Sequence, residues 1–280
     1  MLIQSVFRWS VCLLLALSLL VGAVCLLGQA FPGALLVFES GSVGSREIYI
    51  FDFTRRLRIN ISRYPTDDFS PISRADGQLA FVSDRDGNYE IYLWDGAALT
   101  NRTQHPSEDF LPAFSTDGQL AFVSFRDGSS EIYLSDGIDF TNLSQNRAED
   151  FLPTWSADGR LAFVSQRGGN AEIYVWDGTT LTNVSQSPSN DLAPEWSADG
   201  RLAFVSLRDG NREIYVWDGA TLTNVSQHSA NDADPMWSAN GRLAFVSERD
   251  GNSEVYVWDG ETLINVSQNP AEDYQTIWST

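Results

Sequence analysis

The 280-residue chain contains no lysine, and its two cysteines, Cys12 and Cys25, both lie near the N-terminus. The absence of lysine excludes Schiff-base chemistry and a lysine phosphate clamp. From residue 26 onward the sequence offers no disulfide, no cysteine nucleophile and no thiolate ligand for a metal. The chain also has just two histidines, His105 and His228. Most of the usual catalytic and metal-binding side chains are therefore scarce.

Positive charge is also scarce, because 18 arginines face 37 acidic residues and leave a net charge of −19. Binding to nucleic acid phosphates needs an excess of basic residues, so we expect no nucleic acid partner. Hydrophobic residues make up 43% of the chain, which is enough to build a large core.

One long apolar run occupies residues 11–28, which are uncharged and follow Arg8. Its length suits a transmembrane helix and is at the upper limit for the core of a signal peptide. Residues 1–30 are accordingly predicted to be a signal anchor, or a signal peptide cleaved after Ala30. In either case Arg8 keeps the N-terminus cytoplasmic and the body is exported. We predict an extracytoplasmic body, anchored in the inner or plasma membrane through this N-terminal helix alone.

The rest of the chain, residues 35–280, is built from repeats. The phenylalanine of an LAFVS motif recurs every 41 residues from Phe81 to Phe245, and Phe38 precedes Phe81 by 43. Each repeat contains four short runs rich in Val, Ile, Tyr, Trp and Thr, which is typical of strands. Asp-Gly or Asn-Gly pairs separate the first two runs and favour tight hairpins. The repeat therefore predicts a four-stranded antiparallel meander, and this period is typical of a β-propeller blade.

The order of the strands predicts how the ring closes. The body begins at residues 35–40 with a second strand and ends at residues 275–279 with an inner strand. We expect an all-β, six-bladed β-propeller in which the C-terminal inner strand completes the blade formed by the N-terminal strands. An N-terminal hydrophobic helix would precede it. Removing the last ~8 residues would then open the ring.

The repeat resembles that of the TolB-type, WD-repeat-like propeller family over about 245 of the 280 residues. In the fifth repeat the matching residues are Pro194, Trp196, Ser197, Asp199, Gly200, Phe204, Ser206, Arg208, Gly210, Asn211, Glu213, Ile214, Tyr215, Asp218 and Gly219. The resemblance implies a six-bladed propeller without the N-terminal α/β domain of TolB itself. Similar propellers also cap peptidases, which need a separate catalytic domain. The first repeat departs most from the pattern, for example at Ser73, where four other repeats have Trp.

Of the 37 acidic residues, 26 lie at positions that recur from repeat to repeat, so we interpret most of them as turn-forming side chains. The turn arginines are expected to pair with nearby aspartates. Asp84, Asp86 and Asn88 match part of a calcium loop, but a hairpin turn is the simpler interpretation. His105 and His228 lie three repeats apart, too far to share a metal. We therefore predict no cofactor, no metal site and no catalytic residue, and expect the protein not to be an enzyme.

Differences between repeats point to a candidate binding face on the loops. The apolar candidates for partner binding are Phe110, Leu111, Phe125, Phe151, Leu152 and Leu207. The candidates at the mouth of a central channel are Phe69, Asp234, Tyr274 and Gln275. The apolar set would form either an exposed contact patch or a plug that fills the top of the channel.

These patterns favour a non-catalytic, extracytoplasmic scaffold that mediates protein–protein interaction with an envelope protein. One alternative is a receptor that binds a small ligand or a glycan in the central channel. A second alternative is a hydrolase with an unrecognised site, in which Asp234 or Glu195 would be essential.

Overall fold

The computed structural model describes residues 35–273, Trp278 and the backbone of Cys25–Leu26. These residues form six four-stranded antiparallel sheets, numbered here 1 to 6 in chain order, and contain no helix. The predicted all-β class and the six repeated meanders are thus confirmed. The chain divides into two compact units, Met1–Gly87 with Tyr92–Arg102, and Asn88–Ile91 with Thr103–Thr280.

The first unit holds sheet 1 and most of sheet 2. The strands of sheet 1 are β1 (Cys25–Leu26), β2 (Leu35–Ser40), β3 (Glu47–Asp52) and β4 (Leu57–Asn60). The strands of sheet 2 are β5 (Asp68–Ser73), β6 (Leu79–Ser83), β7 (Glu90–Trp94) and β8 (Leu99–Asn101). In both sheets the strands are neighbours in sequence order, so β4 and β8 are outer edge strands.

The second unit contains sheets 3 to 6. Their first strands are β9 (Asp109–Phe114), β13 (Asp150–Trp155), β17 (Asp191–Trp196) and β21 (Asp232–Trp237). The second strands are β10 (Leu120–Ser124), β14 (Leu161–Ser165), β18 (Leu202–Ser206) and β22 (Leu243–Ser247). The third strands are β11 (Glu131–Ser135), β15 (Glu172–Trp176), β19 (Glu213–Trp217) and β23 (Glu254–Trp258). The fourth strands are β12 (Phe140–Asn142), β16 (Leu181–Asn183), β20 (Leu222–Asn224) and β24 (Leu263–Asn265).

The LAFVS strands form the core of sheets 2 to 6. All five residues of each LAFVS strand are buried, on both faces of the sheet. A strand buried on both faces needs packing layers above and below it, which explains its uninterrupted apolar sequence. In sheet 5, Phe204 lies opposite Tyr215 on the next strand, and their rings stack with centroids 6.2 Å apart. This cross-strand pair recurs in the neighbouring repeats.

The first strand of sheets 2 to 6 contains a β-bulge, which breaks its register with the second strand. The bulge places one non-glycine residue per strand in the left-handed region, with φ between 50° and 54°. These bulge residues are Ser70, Leu111, Leu152, Ala193 and Asp234. A bulge of this kind bends the strand and turns a side chain in a new direction.

Tryptophan indoles link the first strands of successive sheets in the second unit. Each indole N–H donates to a carbonyl of the preceding sheet's first strand at 3.1–3.2 Å. The pairs are Trp155 to Ala113, Trp196 to Thr154, Trp237 to Glu195 and Trp278 to Met236. Since each first strand is an edge strand, these bonds satisfy carbonyls that no further strand pairs in the described residues.

Both predictions about the chain ends fall largely outside the described residues. Of the predicted helix at residues 11–28, the structure describes Cys25–Leu26, which pairs as strand β1 with Leu36 and Val37 of β2. Of the predicted closing strand at residues 275–279, it describes Trp278. The described residues include no helix long and apolar enough to cross a membrane.

Candidate functional site

The predicted apolar set is only partly solvent-accessible. Phe110 and Phe151 are 6% and 7% exposed, so both are buried. Phe110 packs against Tyr89 and meets the half-buried Phe125 edge-to-face, with centroids 5.7 Å apart. The structure therefore brings Phe110 and Phe125 together as a packed aromatic pair.

The other predicted site residues differ in their surroundings. Leu111 and Leu152 are half-buried bulge residues, and Leu207 is half-buried against the core shared by sheets 5 and 6. Burial of this kind favours a packing role for these side chains, and their use as a partner surface stays a prediction.

The four predicted channel-mouth residues differ in their solvent exposure, and two of them lie outside the described residues. Phe69 is buried beneath the Arg46 guanidinium, whose Cζ lies 4.4 Å from the ring centroid. Asp234 is exposed at its bulge, with φ of 53°. Tyr274 and Gln275 lie outside the described residues.

The predicted pairing of turn arginines with aspartates is confirmed in all five sheets that carry the motif. In sheet 5, Arg208 Nη2 lies 3.3 Å from Asp191 Oδ2, and Arg208 Nε donates to Ser206 Oγ at 2.8 Å. Asp191 is fully buried, and burial raises the pKa of its carboxyl, although Ser206 and Arg208 partly offset this effect. The equivalent pairs are Arg85–Asp68, Arg126–Asp109, Arg167–Asp150 and Arg249–Asp232.

The histidines and the turn acids serve local structure. The Nδ1 atoms of His105 and His228 each accept the backbone N–H two residues later at 3.1 Å. Asp84 accepts the backbone N–H of Asp67 at 2.8 Å, and Asp86 accepts the hydroxyl of Tyr92. These contacts fit the hairpin interpretation of the partial calcium loop. Across residues 35–273, no group of histidine and acidic side chains is arranged to hold a metal ion.

Glu195, on β17, is a carboxylate at a position where no other first strand of the second unit has an acidic residue. Its strand position is occupied by Ala113, Thr154 and Met236 in the other sheets of the second unit. Protein encloses the side chain closely, although it keeps some contact with solvent. Burial raises the pKa of Glu195 to about 7, and no neighbouring charge contributes to this shift.

Sheet 1 carries a surface that was not among the predicted sites. Residues 53–64, which we call the basic segment, contain four arginines and no acidic residue in a chain of net charge −19. The arginines, Arg55, Arg56, Arg58 and Arg63, are all exposed. Three large apolar side chains of the same segment are exposed as well, namely Phe53 (51%), Leu57 (50%) and Tyr64 (47%). The signal was visible as the two extra residues and the clustered arginines of the first repeat.

A groove of about 440 Å³ lies beside the basic segment, within the first unit. Its walls come from sheets 1 and 2 and include Ile50, Ile59, Trp94 and Leu99. Arg55, Arg63 and Asp52 add charge to the lining, and Arg55 Nη1 lies 3.4 Å from Asp52 Oδ2. The site thus combines an apolar interior with arginines.

The repeated sheets identify the fold type, and a family model identifies the family. Six repeated four-stranded meanders, five of which have a fully buried second strand, define a β-propeller type of protein. The model of the TolB beta propeller domain matches residues 135–279, and the chain belongs to this family. No curated protein sequence gives a significant match.

Solved structures share the fold at low sequence identity. TolB from Acinetobacter baumannii is 21% identical with a TM-score of 0.57, and the match covers 82% of this chain and 61% of TolB. The β-propeller domain of the Trilobed protease from Pyrococcus furiosus is 14% identical with a TM-score of 0.61. The match covers 89% of this chain and 86% of that domain. A puromycin-hydrolyzing peptidase of Mycobacterium tuberculosis is 16% identical (TM-score 0.68), and the match covers 89% of this chain and 45% of the peptidase. The chain therefore spans about three fifths of TolB and less than half of that peptidase.

Proposed function

We propose that this protein is a non-catalytic, extracytoplasmic scaffold that binds a partner protein of the cell envelope. The observation that carries this proposal is the exposure of Phe53, Leu57 and Tyr64 among four arginines. Aromatic residues and arginine are enriched in protein interfaces and at their energetic centres. Large exposed apolar patches, especially those bordered by polar residues, mark sites of contact with proteins or membranes.

The proposal that the protein is non-catalytic is supported by the structural contacts that its acidic side chains make. Buried aspartates such as Asp191 are held by arginine, and turn aspartates such as Asp177 accept two backbone N–H groups at 2.7 and 2.9 Å. Peptidases share the propeller fold at 14–18% identity, but this chain spans less than half of those proteins. A likeness of fold alone does not transfer a reaction.

The extracytoplasmic part of the proposal draws on the sequence. The apolar run at residues 11–28 follows Arg8, which favours export of the body whether the run is cleaved or retained. The alternative of a ligand in a central channel stays a prediction.

Site-specific photo-crosslinking in cells of the source organism tests the proposal. A benzophenone amino acid would replace Phe53 in one variant and Ile138, an 82% exposed residue of sheet 3, in a matched control. We expect one adduct of defined mass from position 53 and none of that mass from position 138. Equal labelling at both positions, or no protein adduct at position 53, would refute the proposal.

A further inference from the structure

The basic segment is positively charged, whereas the chain as a whole is negatively charged. It contributes +4 to a chain whose net charge is −19, so the remaining residues are strongly acidic. The corresponding turn of sheet 5, Asp218 to Leu222, contains no arginine, and Gly219 supplies its positive φ of 100°. In sheet 1 a non-glycine residue, Arg56, adopts the left-handed conformation, with φ of 49°. This conformation is uncommon for a residue with a side chain, although the bulge residues of sheets 2 to 6 share it.

Strand β4 offers a backbone edge at the same place. Among the residues that the structure describes, it is the outer strand of sheet 1 and pairs with β3 alone, from Asp52↔Leu57 to Tyr49↔Asn60. It has four residues, whereas the outer strands of sheets 2 to 6 have three. Arginines alone would protect such an edge against pairing with another chain. The exposed Leu57 of β4 and Phe53 of the preceding turn have the opposite effect, because burying their apolar surface against a partner is favourable.

The groove adds a pocket of suitable size next to this edge. Its volume of about 440 Å³ lies within the range of ligand-binding clefts. Ile59 of β4 and Trp94 of β7 line it, together with Arg55 and Arg63. Arginine binds carboxylates through paired N–H donors, so the charge and the shape of the groove favour an acidic ligand with an apolar side chain.

We propose that β4 and the adjoining groove bind an extended acidic peptide segment of a partner protein. The peptide adds a strand to the open edge of β4, places one large apolar side chain in the groove, and directs carboxylates toward Arg55, Arg58 and Arg63. Peptide binding by strand addition gains its affinity from main-chain hydrogen bonds and its specificity from pockets for alternate side chains. This inference rests on the proposed function, since it names the chemistry of the partner.

Fluorescence anisotropy with a synthetic probe tests the inference on the full chain. The probe is a fluorescein-labelled nonapeptide in which glutamate alternates with leucine, measured at 50 and 300 mM NaCl. We expect saturable binding that weakens at higher salt, because exposed charge pairs are screened. A peptide with lysine in place of glutamate should not bind. A peptide with a central proline should bind at least tenfold more weakly, because proline cannot donate a strand hydrogen bond.

Variants of the protein locate the site. Arg55→Glu/Arg58→Glu should weaken binding of the glutamate–leucine peptide at least tenfold, and Ala97→Trp, which fills the groove, should do the same. Arg212→Glu/Arg242→Glu reverses two exposed arginines of the second unit and should leave binding unchanged. Equal losses in both double variants, or equal affinity for the proline peptide, would overturn the inference.

Two further outcomes separate this inference from the proposed function. If phosphatidylglycerol vesicles bind through Arg55 and Arg58 and the peptide does not, the surface recognises a membrane and the inference is wrong. If the adduct at position 53 forms normally in Arg55→Glu/Arg58→Glu, the scaffold function stands and the acidic-peptide inference fails. If the peptide binds but position 53 yields no adduct, the acidic-peptide site stands and the proposed envelope partner does not.

Discussion

Replacing Glu195 by glutamine should change how the stability of the protein depends on pH. Burial raises the pKa of this carboxyl from 4.5 to about 7, so the native state binds its proton more tightly than the unfolded state. A raised carboxyl pKa means that native stability falls as the pH rises from the unfolded value to the folded value. The wild-type protein should therefore lose stability at this site between about pH 4.5 and pH 7, whereas the glutamine variant has no proton to lose.

The size of the effect follows from the shift in pKa. Each pKa unit corresponds to ~1.4 kcal/mol, so a shift of this size predicts ~3 kcal/mol in the free energy of unfolding. Glutamine has nearly the same shape and stays neutral. The stability of Glu195→Gln relative to wild type should rise by ~3 kcal/mol between pH 4.5 and pH 8 and then level off.

Urea unfolding followed by tryptophan fluorescence at several pH values between 4.5 and 8 measures this difference. Glu261→Gln, which alters an exposed glutamate of sheet 6, is the matched control and should show no such trend. If Glu195→Gln and wild type have parallel stability profiles over this range, then Glu195 is ionised at little cost and the assigned environment is wrong.

Three further predictions concern the core, a buried ion pair and the turns. Phe204→Ala, which empties a fully buried position, should lower the free energy of unfolding by about 3–5 kcal/mol in a urea titration. Arg208→Gln should destabilise the protein by about 3–5 kcal/mol at pH 7 and by less near pH 4, because protonation removes the unpaired charge of Asp191; an equal loss at both pH values would contradict this pairing. NMR titration of Asp218 and Asp259 should give pKa values of about 2, since backbone and threonine donors stabilise both carboxylates. The contribution of these hydrogen bonds to the stability of the folded protein is present above pH 3.8 and is lost as the pH falls toward 2.

The sequence predicted the strands and the sheet order because both depend on local patterns that recur at a fixed interval. LAFVS strands must be buried on two faces, and Asp-Gly turns set the hairpins between them. The pairing of Arg208 with Asp191 was also accessible, because a turn arginine and a preceding aspartate recur together in each repeat. Repetition converts a weak local signal into a strong one.

The candidate site was harder to predict, because it depends on which side chains are buried by residues distant in sequence. Residue type alone does not determine this. Phe110 follows a loop in the sequence, which suggested exposure, but Tyr89 and Phe125 cover it. The altered pKa of Glu195 likewise requires knowledge of the residues that surround it in three dimensions. The basic segment was visible in the sequence, but its exposure and the adjoining groove were needed to distinguish a binding surface from an irregular first repeat.

The β-bulges have a consequence for how this fold could acquire new specificities. Five strands hold Ser70, Leu111, Leu152, Ala193 and Asp234 in one backbone conformation, at intervals of 41 residues. Serine, leucine, alanine and aspartate are all tolerated there, so the backbone geometry does not dictate the side chain. In sheets 2 to 6 the bulge is therefore a position at which one side chain can be exchanged for another while the LAFVS core of the sheet is left unchanged.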